Sequence, residues 1–398
     1  MVKRVINALI RRCILVAGLF IPIKKNRILC SSYFGRGYSD NLKYICDELL
    51  DENVEIFWIV KNDSEAKTLP DKIKPVKYGS FKSLYYIITS GIWLNNCRFD
   101  FFYKKKEQFY IQTWHGGAQK KIEADVEDKL PEWYVEMAKK DAKHTDLMIS
   151  ESSFMTKLYQ DSFWYKGPVY ECGYPRYDIL MKDNPSIKTK VYEYYGLPLD
   201  KEIVLYAPTF RSDHSFDAYN IDFDRLLEAL KKRFNKEFVV LVHLHPNVAN
   251  IEGVIAYNEK VINSTFYPDT QELLACSAVL IGDYSSINYD FSITGKPVFR
   301  YANDLEKYKQ DRDLYFDFGD YPFPFATNND DLIKIVCNFD SEEYNRDLQY
   351  FFNQIGVIKN PNSSKDIAKL ILDISKYKKD DFIEKNRTKF VYKHGNNK

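Results

Sequence analysis

Short apolar runs separated by polar, helix-forming stretches are the main pattern of this chain. Each run is about the length of a strand and is followed by turn residues; clear examples are residues 27–33, 54–60, 109–114, 237–242 and 277–281. Continuous apolar runs of this kind are typical of strands that are buried on both faces of a sheet. Because they alternate with helical stretches, the pattern predicts parallel sheets made of successive β-α units.

A break in this alternation divides the chain into two domains. The stretch 183–200 contains Pro185, Gly196 and Pro198, and a new apolar strand starts at Glu202. With 398 residues the chain is also longer than one ordinary hydrophobic core supports. We therefore predict an α/β fold with two doubly wound, Rossmann-type domains facing a central cleft. The predicted segments are an N-terminal segment at 1–25, domains at 26–190 and 201–375, and a C-terminal helix with a tail at 376–398.

Composition narrows the class of protein. Hydrophobic residues make up 45% and charged residues 28% of the chain, which is typical of a folded protein. A formal net charge of +1 argues against binding to nucleic acid. Seven cysteines are scattered without a zinc-like spacing, and their odd number argues against a disulfide framework. We therefore predict free thiols in a reducing cytoplasm.

The N-terminal segment has the one feature that suggests a membrane. Residues 13–23 form an apolar run that is well short of the ~20 residues that a membrane-spanning helix needs. Basic residues lie on both sides of this run: Lys3, Arg4, Arg11, Arg12, Lys24, Lys25 and Arg27. The arrangement predicts an amphipathic helix that lies on the membrane and binds anionic headgroups. A buried first helix is an equally good interpretation, whereas a signal peptide is disfavoured because two lysines follow the run instead of a cleavage site.

Two histidines follow predicted strands. His115 lies in the motif Gln-Thr-Trp-His-Gly-Gly at 112–117, and His245 lies in the motif His-Leu-His-Pro at 243–246. A single histidine is more often a structural residue than a catalytic one. Ligands of open α/β sheets, however, bind at the carboxyl ends of strands, and an imidazole titrates near neutral pH. We therefore predict that His115 and His245 are catalytic.

A third polar turn follows the predicted strand at 277–281. It has the sequence Gly-Asp-Tyr-Ser-Ser at 282–286 and leads into a predicted helix. Free N–H groups at a helix start and two hydroxyls are suited to a phosphate group, so Ser285 and Ser286 are candidate substrate-binding residues. The same serines are as typical of ordinary helix caps. Asp283 is a further candidate, which either orients a ligand hydroxyl or a histidine or caps the helix.

Seven ordered motifs give the chain a resemblance to a known family. They are Thr113–Gly116, Gly173–Arg176, Leu205–Arg211, His245-Pro246, Asp283–Ser286, Lys296-Pro297 and Asp304–Tyr308. Over roughly residues 25–375 the chain resembles the CDP-glycerol glycerophosphotransferase family of teichoic acid and capsule biosynthesis. The resemblance implies a GT-B-like fold, peripheral association with the cytoplasmic face of the cell membrane, and transfer of glycerol phosphate from CDP-glycerol to a polyprenyl-diphosphate-linked glycan. It also marks Arg176 and Thr209 as candidate substrate-binding residues.

The predicted chemistry combines these residues. His115 accepts the proton of the acceptor hydroxyl as that hydroxyl attacks the β-phosphorus of CDP-glycerol. Because phosphoryl transfer is catalysed mainly by positioning and charge stabilisation, we expect His245 and Arg211 to stabilise the departing CMP. Ser285 and Ser286 are expected to bind the same phosphates. For Arg211 a surface ion pair is an equally good interpretation.

The motifs leave several alternative functions open. An enzyme that uses CDP-ribitol as its donor would contain nearly every motif named above. A GT-B sugar-nucleotide glycosyltransferase would bind a diphosphate in a similar way. A non-catalytic membrane scaffold would need neither histidine. Since no carboxylate cluster has the spacing of a Mg²⁺ site, we expect neither a metal nor another cofactor. Homo-oligomerisation is left open.

Overall fold

Two parallel sheets form the framework of the molecule. The computed structural model describes residues 18, 20–100, 103–209, 211, 219–244, 255–311 and 313–393. The strands are β1 Lys24–Ser31, β2 Glu55–Val60, β3 Ile73–Lys77, β4 Ser90–Asn95, β5 Phe109–Gln112, β6 Leu147–Ser150, β7 Val169–Glu171, β8 Glu202–Tyr206, β9 Phe238–Val242, β10 Val261–Asn263, β11 Ser277–Gly282, β12 Val298–Tyr301 and β13 Phe325–Ala326. The first sheet has the order β3-β2-β1-β4-β5-β6-β7 and the second has the order β10-β9-β8-β11-β12-β13.

Helices connect most of the successive strands. They are α1 Asp40–Asp47, α2 Asp63–Ala66, α3 Phe81–Thr89, α4 Glu132–His144, α5 Ser153–Ser162, α6 Pro185–Tyr195, α7 Phe223–Phe234, α8 Thr270–Cys276, α9 Ile287–Ser292, α10 Leu305–Asp311, α11 Asn329–Cys337, α12 Ser341–Ile355, α13 Ser363–Lys376 and α14 Lys379–Lys385. Side chains at the N-cap position fix where several of them begin. Ser80, Ser152 and Asp222 each accept a hydrogen bond from the N–H three residues further on.

The apolar runs that predict strands supply the core of each sheet. Leu29, Phe57, Trp93 and Tyr110, from four neighbouring strands of the first sheet, belong to one buried cluster. In the second sheet every residue of Val239–Val242 is at most 1% exposed. Because side chains are buried on both faces, the strands are apolar throughout and do not alternate with polar residues. The predicted strands are therefore confirmed, apart from shifts of a few residues at their ends.

The chain divides into two compact units. Unit 1 comprises the residues up to 115, residues 122–178 and the residues from 357 onward, and unit 2 comprises residues 116–121 and 179–356. Each unit is doubly wound, because the strand order changes direction between β1 and β4 in unit 1 and between β8 and β11 in unit 2. The predicted fold class, an α/β protein with two doubly wound Rossmann-type sheets of GT-B-like type, is confirmed. Ligands bind preferentially where the strand order changes direction.

The predicted domain boundaries differ from this division in three places. Residues 179–190 and 116–121 belong to unit 2, and residues 357–375 return to unit 1 together with the C-terminal helix and tail. Helix α6 packs against α8 of unit 2, and α13 packs against α1, β1 and β4 of unit 1. An amphipathic helix does not encode which sheet it covers, so the sequence pattern assigned α13 to the domain that precedes it. In the predicted segment 1–25, residues 1–17 and 19 lie outside the described residues, and Lys24 and Lys25 are the first residues of β1, so the first domain begins earlier than predicted.

No helix in the described ranges is both long and apolar enough to cross a membrane. The cysteines at 30, 46, 97, 172, 276 and 337 are free thiols, and Cys13 lies outside the part of the chain that the structure describes.

The start of α13 is held by Asp178 of the Gly-Tyr-Pro-Arg region. The buried carboxylate of Asp178 accepts hydrogen bonds from the N–H groups of Ser363 and Ser364, both at 3.0 Å, and from the Ser364 hydroxyl. The side chain at the N-cap position, Asn362, makes no capping bond. A carboxylate from elsewhere in unit 1 therefore satisfies the free N–H groups at this helix start.

We predict that Asp178→Ala lowers the free energy of unfolding by about 3 kcal/mol, because it leaves two buried N–H groups without their charged acceptor. The measurement is urea unfolding of the full chain. The matched control is Asp373→Ala, which removes a carboxylate that is 37% exposed and pairs with Lys376 on the same helix. That control should change the free energy by less than about 0.5 kcal/mol. Equal unfolding midpoints for the two variants would contradict the role given to Asp178.

Candidate active site

His115 lies just after β5 of unit 1, and the end of β4 orients its ring. Its Nδ1 lies 2.5 Å from the backbone oxygen of Asn96. A carbonyl only accepts hydrogen bonds, so Nδ1 carries the proton of the neutral ring and Nε2 carries the lone pair. The ring also contacts the rings of Trp114 and Tyr33, with centroids 4.4 and 5.7 Å away. This geometry makes Nε2 the nitrogen that can accept a proton.

The surroundings of His115 keep its ring neutral. Burial lowers the pKa of His115 below its usual value, and the hydrogen bond to Asn96 opposes this shift only in part. The ring is half-buried, and an imidazole that loses part of its hydration is less stable in its charged form. His115 is therefore present as the free base at neutral pH, which is the form that general-base catalysis requires.

A strained backbone turn directs His115. Trp114 has φ 54°, in the left-handed region that side chains other than glycine rarely adopt. The N–H of Trp114 donates to Gln112 Oε1 at 3.0 Å, and its carbonyl accepts from Asn41 Nδ2 at 3.3 Å and from Thr113 Oγ1 at 3.0 Å. These bonds hold a conformation that would otherwise be unfavourable, as is common at functional sites.

The predicted residue Arg176 lies in a buried ion pair of unit 1. Its Nη1 donates to Asp40 Oδ2 at 3.1 Å, and the Tyr33 hydroxyl donates to the same oxygen. Asp40 acts electrostatically on His115 by favouring its protonated form. Asp40 and Tyr33 were not predicted from the sequence motifs. The available signal was their position, after β1 and at the start of the first helix, where a doubly wound sheet reverses its strand order.

Asp283 organises the corresponding edge of unit 2. It follows β11, and its carboxylate accepts from the Thr209 N–H at 2.8 and 3.0 Å and from the Thr209 hydroxyl at 2.6 Å. It also accepts from Arg211 Nη1 at 2.8 Å and from the N–H of Tyr284 at 2.6 Å. Three of the predicted residues, Thr209, Arg211 and Asp283, are thus brought together by direct hydrogen bonds.

The contacts of Arg211 differ from both sequence-based interpretations. Its Nε and Nη2 donate to the two carboxylate oxygens of Asp304 at 2.6 and 3.2 Å, and its Nη1 donates to Asp283 and to the Thr209 carbonyl. The residue is buried, so it is neither a surface ion pair nor a guanidinium with all its donors open to phosphate. Although burial alone would lower the pKa of Arg211, Asp283 and Asp304 raise it. Asp304 belongs to the last of the seven motifs, but its role was not predicted from the sequence.

Ser285 and Ser286 lie partly exposed between Asp283 and α9. The Ser285 hydroxyl accepts from the N–H of Ile287 at 3.3 Å, as a local cap does, whereas Ser286 makes no side-chain capping bond. Helix α9 has six residues, so the helix dipole contributes less here than the sequence analysis assumed. Gln119, which the sequence analysis did not identify, donates to the Ser285 carbonyl at 3.0 Å.

In the second histidine motif the structure describes His243 and Leu244. His243, at the end of β9, bonds through Nδ1 to the Ser264 carbonyl at 2.8 Å and through Nε2 to the Thr270 hydroxyl at 3.1 Å. Both of its nitrogens are thus engaged by residues of unit 2. His245 lies outside the described residues, and its predicted catalytic role stays a prediction. The described residues contain no group of three or more histidines, cysteines or carboxylates that could hold a metal ion.

Gly282, the last residue of β11, allows a close contact under the Asp283 turn. A Cβ atom added to it would lie 2.0 Å from Asn288 Oδ1, far inside van der Waals contact. The fully buried Asn288 donates from Nδ2 to the carbonyl of Asp283 at 3.0 Å. Glycine at 282 therefore lets an asparagine side chain brace the turn that carries Asp283 and the serines.

Known proteins resemble the chain over most of its length. The family described as CDP-Glycerol:Poly(glycerophosphate) glycerophosphotransferase matches residues 15–373. The teichoic acid poly(glycerol phosphate) polymerase of Bacillus spizizenii is 30% identical over 376 residues, which are 90% of this chain and 94% of that protein. The teichoic acid glycerol-phosphate transferase of Staphylococcus aureus is 29% identical over 395 residues, 93% of this chain and 100% of the relative.

A structure of the wall teichoic acid polymerase TagF soaked with CDPG has 26% identity and a TM-score of 0.81, and the similarity covers 94% of this chain and 98% of that one. The chain spans about half the length, 51% and 49%, of two further poly(glycerol phosphate) polymerases, from Staphylococcus epidermidis and Bacillus subtilis.

We predict that Gly282→Ala lowers the free energy of unfolding by about 1–3 kcal/mol, because the new methyl group displaces the packed Asn288 side chain. Thermal and urea unfolding of the full chain measure this effect. The matched control is Gly319→Ala, since a Cβ atom at position 319 meets nothing within 4 Å. If both variants unfold like the parent chain, the close contact at Gly282 does not constrain the turn.

Proposed function

The chain belongs to the CDP-glycerol:poly(glycerophosphate) glycerophosphotransferase family, and we propose that it transfers glycerol phosphate from CDP-glycerol to a hydroxyl of a polyprenyl-linked glycan or polyol-phosphate acceptor, with release of CMP. The observation that carries this proposal is the His115 ring, with Nδ1 bonded to the Asn96 carbonyl and Nε2 as the basic nitrogen. The names of the relatives from B. spizizenii and S. aureus support glycerol phosphate as the transferred group. The TagF structure soaked with CDPG supports the donor.

In the proposed reaction Nε2 of His115 takes the proton of the acceptor hydroxyl. The acceptor oxygen forms a bond to the β-phosphorus of CDP-glycerol, and the bond from that phosphorus to the bridging oxygen breaks. The electron pair of the broken bond leaves with CMP. The proton held by His115 is then released to solvent, which returns the ring to its starting form. The lowered pKa of His115 favours this release.

The donor side of the reaction is assigned to unit 2. The Ser285 and Ser286 hydroxyls are partly exposed beside Asp283 and are suited to donate to the phosphates of the donor. Arg211 and Thr209 bind Asp283 directly, so we assign them to holding the shape of this turn. In unit 1, Arg176 is assigned to holding Asp40 near His115. His245 is retained as a predicted group that stabilises the departing CMP.

The proposed location is the cytoplasmic face of the cell membrane, with the chain bound peripherally. A polyprenyl-linked acceptor stays in the membrane, so the enzyme that extends it works at the bilayer surface. The basic and apolar residues predicted to form an amphipathic segment at 1–25 support this location. The proposed pathway is teichoic acid or capsule biosynthesis.

The first test follows CMP release from CDP-glycerol in the presence of a soluble lipid-linked disaccharide, with mass spectrometry of the product. We expect a product heavier by whole glycerol-phosphate units, and we expect His115→Ala to lower the rate by ~10²-fold or more because the general base is lost. The matched control is His144→Ala in α4, where the ring caps a helix by bonding to the Lys140 carbonyl. This control should keep the parent rate.

Each other result of that assay points to a different function. Turnover of CDP-ribitol in place of CDP-glycerol would change the donor. Turnover of a sugar nucleotide alone would make the chain a glycosyltransferase. If folded His115→Ala protein works as well as the parent, His115 is not the base, and if no donor reacts with any acceptor, a scaffold role replaces the enzyme.

The pH dependence gives a second test. His115 must be neutral to act as a base, and its lowered pKa means that it stays neutral below about pH 6.5, where an ordinary histidine becomes protonated. We therefore expect the acid limb of kcat/KM to lie below pH 6.5. Asp40→Asn should move this limb to still lower pH, because Asp40 favours the protonated ring. His144→Ala should leave it unchanged. A limb above pH 7, or one that Asp40→Asn moves upward, would contradict the assignment.

A further inference from the structure

A cavity of about 550 Å³ lies at the amino edge of the sheet in unit 2. Its wall includes Glu202 and Phe238, the first residues of β8 and β9, together with Ala278 of β11 and Pro297, which precedes β12. Because all strands of this sheet are parallel, their amino ends lie at the edge opposite the turn that carries Asp283. The cavity is therefore separate from the candidate active site of unit 2. Its volume is typical of pockets that bind small molecules.

The wall of this cavity carries more positive than negative charge. Four lysines line it, against two carboxylates, Asp183 and Glu202. The lysines are Lys182, Lys188, Lys236 and Lys296. The remaining wall is largely apolar and includes Phe234, Phe238 and Val279. A ligand that complements both parts must be an anion with an apolar body, because an inorganic ion would leave the apolar wall without contacts.

Lys296 gives the positive part of the wall a specific donor. Its ammonium group donates to the carbonyls of Ala275 and Ser277 at 3.1 and 2.7 Å. An ammonium group has three donors, and within the described part of the chain no third acceptor bonds to it. Burial lowers the pKa of Lys296, so an anion that bonds to it would relieve an unfavourable charge. Lys296 also belongs to the Lys-Pro motif at 296–297, which has no part in the proposed reaction.

We propose that this cavity binds the phosphate ester of an amphipathic anion, with the phosphate at Lys296 and the apolar body against Phe234, Phe238 and Val279. Phosphate is the expected anionic group because it offers several acceptor oxygens to a cluster of lysines. Membrane phospholipids and isoprenoid phosphates share this chemistry. The inference is independent of the proposed reaction, since it concerns a different edge of the sheet and is tested by binding alone.

The test is calorimetric titration of the full chain with dihexanoyl phosphatidylglycerol below its micelle concentration. We expect dihexanoyl phosphatidylcholine to bind about tenfold more weakly, because its headgroup brings its own cation to the lysines. Inorganic phosphate should also bind at least about tenfold more weakly, because it lacks the apolar contacts. Geranyl phosphate distinguishes the source: tighter binding than the phospholipid identifies an isoprenoid phosphate, and weaker binding identifies a phospholipid. Equal affinity for all four probes would overturn the proposal.

Variants tie the binding to this cavity. Lys296→Met should weaken phosphatidylglycerol binding about tenfold through loss of a charge-assisted hydrogen bond. Lys296 also bonds the end of α8, so a second variant tests the charge of the wall without changing that bond. This double variant, Lys182→Met with Lys236→Met, changes two exposed positions of the rim and should give a loss of similar size. The matched control is Lys369→Met, at an exposed position of α13 in unit 1. If the rim variant and the control bind like the parent chain, the lipid binds elsewhere and the proposal fails, whatever the result of the CMP assay.

Discussion

The buried carboxylate of Asp283 is the interaction on which the carboxyl edge of unit 2 depends. It is 1% exposed, and a carboxylate removed from water in this way is stable only when donors replace its hydration. Thr209, Arg211 and Tyr284 supply these donors through two backbone N–H groups, a hydroxyl and a guanidinium. The carboxylate thereby joins the segment after β8 to the turn after β11, across the point where the strand order reverses.

Unit 1 also buries a carboxylate at this position, that of Asp40, which pairs with Arg176, and neutral groups beside this pair hold His115. Between β1 and β4, the side chain of Asn96 accepts from the Tyr33 N–H at 2.9 Å and donates to the Ser32 hydroxyl at 3.2 Å. Its backbone carbonyl is thereby held in place to fix the tautomer of His115. The two doubly wound sheets thus use one topological position in different ways. Both contain a buried ion pair, and unit 1 adds a base that can change its protonation state.

Features that depend on local sequence patterns could be predicted from the sequence. Features that depend on contacts between residues distant in the sequence could not. Apolar runs predicted both sheets, because a buried parallel strand is apolar on both faces. The position of His115 after a strand also followed from such a run. The buried pairing of Arg211 with Asp304 could not be predicted, because it joins residues 93 positions apart and depends on which loops reach the same edge. The return of α13 to unit 1 was missed for a similar reason, since it depends on Asp178 in an earlier part of the chain.

The charge balance around Arg211 decides how the turn can meet a phosphate. Its single positive charge lies between the carboxylates of Asp283 and Asp304, so these three residues carry a formal net charge of −1. An anionic phosphate group placed against this cluster would be repelled by the excess carboxylate, and the repulsion is strong where water is excluded. Arg211 is therefore better suited to stabilise Asp283 than to bind the donor. A phosphate near this turn therefore needs hydrogen-bond donors that are not already paired with a carboxylate, and the Ser285 and Ser286 hydroxyls are the nearest in sequence.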